Sequence, residues 1–183
     1  MIPGEPYPMF LAVQRLVRLV PLCLLVACSG GNRQAEDRVH PMGERVGVGP
    51  LLYTVLHAEW LDHIGEPPAS RLPQHRFLAI RLTVTNGGAA TQVVPTMVLE
   101  APDGKRYNEL ADAEGLPQWL GSLRMLKPAE TDRGAVVFDV PPGGYRLRLT
   151  GEAPGGEEVT ALVDIPYSVP LAPPASVPGE RSQ

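Results

Sequence analysis

The chain has 183 residues, 44% of them apolar, with 21 Pro, 19 Gly and a formal net charge of −4. That length suits one domain with a real core once a leader is removed. The mild acidity argues against a nucleic-acid partner, which favours basic patches. High Pro and Gly content, with apolar residues spread evenly, predicts many short strands joined by tight turns.

Met1 to Pro8 is unusually polar and Pro-rich, so Met9 gives a more usual start than Met1. Arg15 and Arg18 precede the short apolar run Leu19 to Val26, and Ala27 follows. Positive flank, apolar segment and small residue, in that order, are the marks of a secretory signal. The run falls far short of the roughly 20 apolar residues that span a bilayer. Leu25-Val26-Ala27-Cys28 resembles the lipobox of bacterial lipoproteins. The resemblance implies cleavage before Cys28, a diacylglycerol on its thiol and two or three acyl chains, of the palmitate kind, in all. Each buried CH₂ is worth about 0.8 kcal/mol and stable anchoring takes more than one chain, so the first partner expected is a membrane. Ser29 stands where a retention signal would place Asp, which resembles the class sent to the outer membrane, facing the periplasm, in cells with two membranes. The only other cysteine, Cys23, leaves with the signal, so the mature chain is expected to hold no disulfide and no cysteine metal site.

Four segments are expected: a signal over 1–27, a lipidated flexible tether over 28–44, a sandwich over 45–167 and a Pro-rich disordered tail over 168–183. The tether is small and polar, with a reach of roughly 20–25 Å. Arg45 to Val48 and Leu51 to Leu61 read as strands, the second apolar on both faces at its start. Asp62 to Gln74, with three prolines, reads as a loop. Arg76 to Asn86 alternates strictly: Leu78, Ile80, Leu82 and Val84 on a core face, Ala79, Arg81, Thr83 and Thr85 on a solvent face. Thr91 to Val94, Met97 to Ala101 and Arg106-Tyr107 read as short strands. In Asn108 to Met125, Glu109 to Ala113 is expected to make a helical turn, and Leu116, Trp119, Leu120 and Leu123 recur at helix-like spacing. Gly134 to Pro141, Tyr145 to Leu149 and Val159 to Ile165 alternate again and are joined by Gly/Pro turns, which predicts a meander.

Val84-Thr85-Asn86, Pro102-Asp103-Gly104 with Tyr107, and Leu126-Lys127-Pro128 leading to Gly134 and Val136 to Pro141 occur in that order. This is similar to the telokin-like, immunoglobulin-like domain of unknown function that many bacterial lipoproteins carry after a polar tether. The resemblance covers about Val46 to Ile165. It implies an all-β, immunoglobulin-like antiparallel β-sandwich of seven or eight strands, here with short helical turns in one long loop, and no catalytic residues to carry over.

Candidate chemistry is sparse. His57 and Glu59 would share a strand face, and with Asp62 and His63 they could be written as a zinc cluster, but no recognised ligand spacing is present. No serine sits in a nucleophile elbow, and the paired glycines lie between strands, where they serve as turns. No cofactor, no metal and no catalytic residue is expected. Arg146 and Arg148 face outward on one strand and Arg81, Thr83 and Thr85 on another. If these strands are neighbours, they make a basic stripe. Trp119, with Leu116 and Leu120, is either a flap over the core, the favoured reading, or a patch for an envelope protein partner. The expected function is that of a non-enzymatic, membrane-anchored binding or interaction module of the cell envelope. The alternative is an envelope hydrolase or metal-dependent enzyme using His57, Asp62 and His63.

Overall fold

The structure, a computed structural model, describes residues 38–167. The signal, Cys28 and the Pro-rich tail lie outside the described residues. Eleven strands follow in order: β1 (Val39–His40), β2 (Arg45–Val48), β3 (Leu51–Leu61), β4 (Arg76–Asn86), β5 (Gln92–Val93) and β6 (Val98–Glu100), then β7 (Arg106–Asn108), β8 (Met125–Leu126), β9 (Thr131–Val140), β10 (Tyr145–Glu152) and β11 (Glu158–Ile165). They form a five-stranded sheet ordered β1-β11-β10-β6-β7, a four-stranded sheet ordered β2-β3-β4-β9, and a two-stranded ribbon of β5 and β8. One apolar cluster lies between the two large sheets. Tyr53, Leu78, Ile80, Leu82 and Phe138 meet Leu99, Leu147, Leu149 and Val163 there. The described residues thus form an all-β sandwich.

The alternation in β4 carries this packing, but only one end of its second face meets solvent. Phe77 and Ala79 are buried on the outer side, in a second cluster with Ile64, Ala113 and Val137, against which Leu61, Leu110, Leu116 and Trp119 pack. The cover is the segment between β7 and β8. It also closes the free edge of β9. Leu110 N–H donates to the Val137 carbonyl at 2.7 Å, Ala135 N–H to Gln118 at 2.8 Å and Leu120 N–H to Ala135 at 3.1 Å. Exposed strand edges invite pairing with other chains, and this one is occupied from within. Gln118 takes a left-handed φ of 58° at the point of contact. Gly134 permits the approach, because a Cβ there would run into the Gln118 carbonyl and the Leu120 side chain.

Five expectations need correction. First, the described residues contain no helix. The segment after β7 makes tight turns instead, with Leu116 N–H donating to Ala113 and Trp119 N–H to Leu116, and successive three-residue steps imitate helical spacing. Second, β9, β10 and β11 are not a meander. β10 and β11 form a hairpin, but β9 pairs with β4 in the other sheet. Pro141 and Pro142 lack the N–H donors that a hairpin ladder would use, and the chain crosses between sheets there. The Tyr145 hydroxyl donates to the Pro141 carbonyl at 2.5 Å across that corner. Third, strand structure reaches back into the stretch read as tether, where β1 pairs with β11 and Met42 packs on the core. Fourth, that pairing is parallel, in an otherwise antiparallel sheet. Fifth, the facing sheets hold five and four strands rather than seven or eight in all.

The register of β3, ambiguous from its residues, is settled by a bulge between Val55 and His57. Tyr53 and Val55 point inward before it. Ala58 and Trp60 pack on the core after it. The extra residue, Leu56, switches the inward set from odd to even positions.

Asn86 closes β4 from a fully buried position. Its side-chain amide donates to the Ala90 and Leu126 carbonyls at 2.8 and 2.9 Å, and its Oδ1 accepts from Gly88 N–H at 2.8 Å. That ties the ribbon to the end of the sandwich. Gly134→Ala is expected to lower stability to urea by about 1–3 kcal/mol, the usual cost of overpacking, at unchanged urea dependence. Gly155→Ala, where an added Cβ meets nothing within 4 Å, should shift it by less than about 0.5 kcal/mol.

Candidate functional site

On the outer face of the five-stranded sheet, Arg146 stands opposite Glu100 on one side and Asp164 on the other, and Glu100 stands opposite Arg106. Charges therefore alternate across four strands. Glu100 accepts from Arg148 Nε at 2.6 Å and pairs with Arg106 Nε at 2.9 Å. The hydrogen bond from Arg148, and then the nearby guanidinium charges, hold its carboxyl below the ordinary 4.5. Arg146 is exposed and, with Tyr145, Arg106 and Asp164, lines an open cleft of about 480 Å³. Burial pushes the Tyr145 hydroxyl up to about 12.

The basic stripe does not form. β4 lies in the four-stranded sheet and β10 in the other, so Arg81, Thr83 and Thr85 are not beside Arg146 and Arg148. Arg81 instead pairs with Glu59 at 3.0 Å. The four-stranded sheet also places residues of the proposed zinc cluster. His57 and Glu59 do share the outer face, opposite Arg81 and Ala79, but Glu59 is held by Arg81, and Asp62 pairs with Arg76 at 3.0 Å. Among the described residues, no three His, Cys, Asp or Glu side chains are grouped to hold a metal.

The structure divides the Asn108–Met125 residues. Leu116 and Trp119 pack, half-buried, on the second cluster, and Leu120 on the main core. They form the flap. Leu123, expected with them, is 94% exposed. The base of the segment is clipped by an ion pair between Glu109 and Arg124, whose side chains are 4% and 3% exposed. Arg124 Nε also donates to the Gly121 carbonyl at 2.7 Å. Glu109 Oε2 and Arg124 Nη1 are buried with no partner. Burial pushes the Glu109 carboxyl up, with Arg124 pulling it back only in part, and burial beside this pair also raises the Tyr53 hydroxyl. Sequence reading missed the clasp, since nothing in a lone Glu and a lone Arg announces burial.

The ribbon completes the set. Val93 stands opposite Met125, and these are 62% and 68% exposed, while Val94 and Leu126 on its other face are buried. Val93 also lines an open groove of about 750 Å³ with Pro50, Pro95, Glu152, Gly156 and Glu158.

Sheet order and core define a β-sandwich domain, and similar folds are known. The yjhA protein from Bacillus subtilis matches with a TM-score of 0.52 at 14% identity, covering 69% of this chain and all (100%) of that one. A functionally unknown protein from Listeria monocytogenes EGD-e matches with 0.52 at 9%, covering 71% and 85%. The ycdA protein of Bacillus subtilis, named as a candidate lipoprotein, gives 0.47 at 16%, covering 66% of this chain and 38% of that one. At such identities the likeness speaks to the fold alone. No curated protein matches the sequence. The family model described as Domain of unknown function (DUF4352) matches residues 40–159, and the chain belongs to that family.

Two outcomes test the charged groups. Arg124→Met should cost about 3–5 kcal/mol in urea unfolding by leaving Glu109 buried and unpaired, and Arg124→Met with Glu109→Leu should recover most of it. Glu100 has a lowered carboxyl, so the stability it contributes is complete above about pH 4.5 and is lost as pH falls through its folded value. Thermal melts of Glu100→Gln should therefore show a shallower acid decline than the wild type below about pH 4.5.

Proposed function

We propose that this protein is a non-catalytic interaction module held at the bacterial cell envelope by lipid on Cys28. In a cell with two membranes it sits on the outer membrane, facing the periplasm. The observation that carries this reading is Leu25-Val26-Ala27-Cys28 after an apolar run flanked by Arg15 and Arg18. The domain is of the telokin-like, immunoglobulin-like kind. The corner in which the Tyr145 hydroxyl bonds the Pro141 carbonyl supports that kinship, because immunoglobulin-type sandwiches brace a strand corner in this way. The non-catalytic reading is supported by the engagement of Glu59 and Asp62 with arginines, which leaves His57 and His63 without a carboxylate to orient them. Arg146, at the exposed cleft, is the charged side chain best placed for an envelope protein partner. Arg148, committed to Glu100, positions that row.

Wild type and Cys28→Ala, expressed in a bacterial host, should differ in intact mass by the acyl groups and in fractionation. The wild type is expected in the membrane and the variant in the soluble fraction. Two soluble products cleaved at another position would remove the anchor from this account.

A further inference from the structure

We infer that the apolar face of the β5–β8 ribbon is a membrane contact, with Val93, Leu123 and Met125 entering the interfacial layer of the bilayer that holds the chain. The inference rests on the lipid-anchor reading for its geometry. Its own ground is the ribbon. Val93 and Met125, 62% and 68% exposed, stand opposite each other on a two-stranded element whose Leu126 is buried, and Leu123, 94% exposed, lies two residues before β8. Clustered exposure of this kind marks a surface that meets something apolar.

The direction of the chain says what that is. β1 runs parallel to β11, with Val39 beside Leu162 and His40 beside Val163. The chain therefore runs into β1 from the side on which β11 begins, with Val39 level with Leu162 in the middle of that strand. The ribbon lies on that same side, since Val93 shares a groove with Glu152, Gly156 and Glu158 at the β10–β11 turn. Because β1 starts at Val39, only residues 29–38 separate Cys28 from the folded domain. Ten residues span at most about 35 Å even when fully extended. A domain held so closely, and from that side, presents the ribbon to the lipid. A second copy or a protein partner would need no such agreement between the anchored end and the apolar end. Glu152 and Glu158, directly opposite each other at the groove, further favour zwitterionic over anionic headgroups.

The test uses the acylated full chain, in which Cys28 is blocked and a single introduced cysteine takes an environment-sensitive dye. Labels are placed at Leu123→Cys, at Met125→Cys and, as a control, at Lys105→Cys in the β6–β7 turn at the far end. Each protein is reconstituted into phosphatidylethanolamine–phosphatidylcholine vesicles, with and without a nitroxide-bearing lipid. The expected result is a shift to shorter wavelength and strong quenching at residues 123 and 125, with neither at residue 105. Vesicle-bound protein with no difference among the three labels would overturn the ribbon contact and leave the anchor standing. Protein that fails to float with vesicles would overturn both. A shift at residues 123 and 125 that depends on protein concentration and ignores the quencher would assign the face to a second copy and overturn the proposal.

Discussion

The unpaired edge of β9 is the constraint around which much of this molecule is arranged. β9 spans Thr131–Val140 and is the last strand of its sheet. It is apolar on both faces, with Val136 and Phe138 turned to the core and Ala135 and Val137 turned outward. A long edge of that composition is a template for aggregation. The residues between β7 and β8 answer it twice, by hydrogen bonding along the edge and by laying Leu116 and Trp119 over the outer face. The unusual length of that segment, the glycine at position 134 and the left-handed Gln118 all follow from this one requirement.

Such a cover works only if its ends are fixed. Glu109 and Arg124 lie at the two ends and close on each other inside the protein, where separation would strand a charge. Asn86 does comparable work next door with neutral groups. Buried polar contacts of this sort confer little net stability but admit few alternative arrangements. The charges on the sheet faces are largely compensated in pairs. Among what remains exposed on the described surface are Arg146 at a cleft and Val93, Leu123 and Met125 at and beside the ribbon.

Much of the sandwich was legible because strands such as Arg76–Asn86 and Tyr145–Glu152 obey a period of two, which depends only on neighbours in sequence. The illegible parts depend on partners distant in sequence. Leu56 is an extra residue only relative to Arg81 and Leu82 across the ladder, so the switch of faces in β3 leaves no local trace. Ala79 and Val137 look solvent-facing until a segment some distance along the chain covers them. Pro141-Pro142-Gly143-Gly144 reads as a hairpin turn and is a crossing between sheets, because local turn chemistry does not say which sheet receives the next strand. The candidate site fared similarly. Trp119 and Leu116 were correctly legible as a flap, whereas the exposure of Leu123 and the burial of Arg124 required the register of the ribbon.

The pairing of β1 has a mechanical side. Tension arriving through the residues before Arg38 pulls along the strand axis and loads β1 in shear. Only Val39 and His40 resist it within the sheet. If they yield, residues 39–44 pay out as slack of about 20 Å before the load reaches β2, which is zipped to β3 along its whole length. Under such a load the first strand would yield first, while the two facing sheets stay closed.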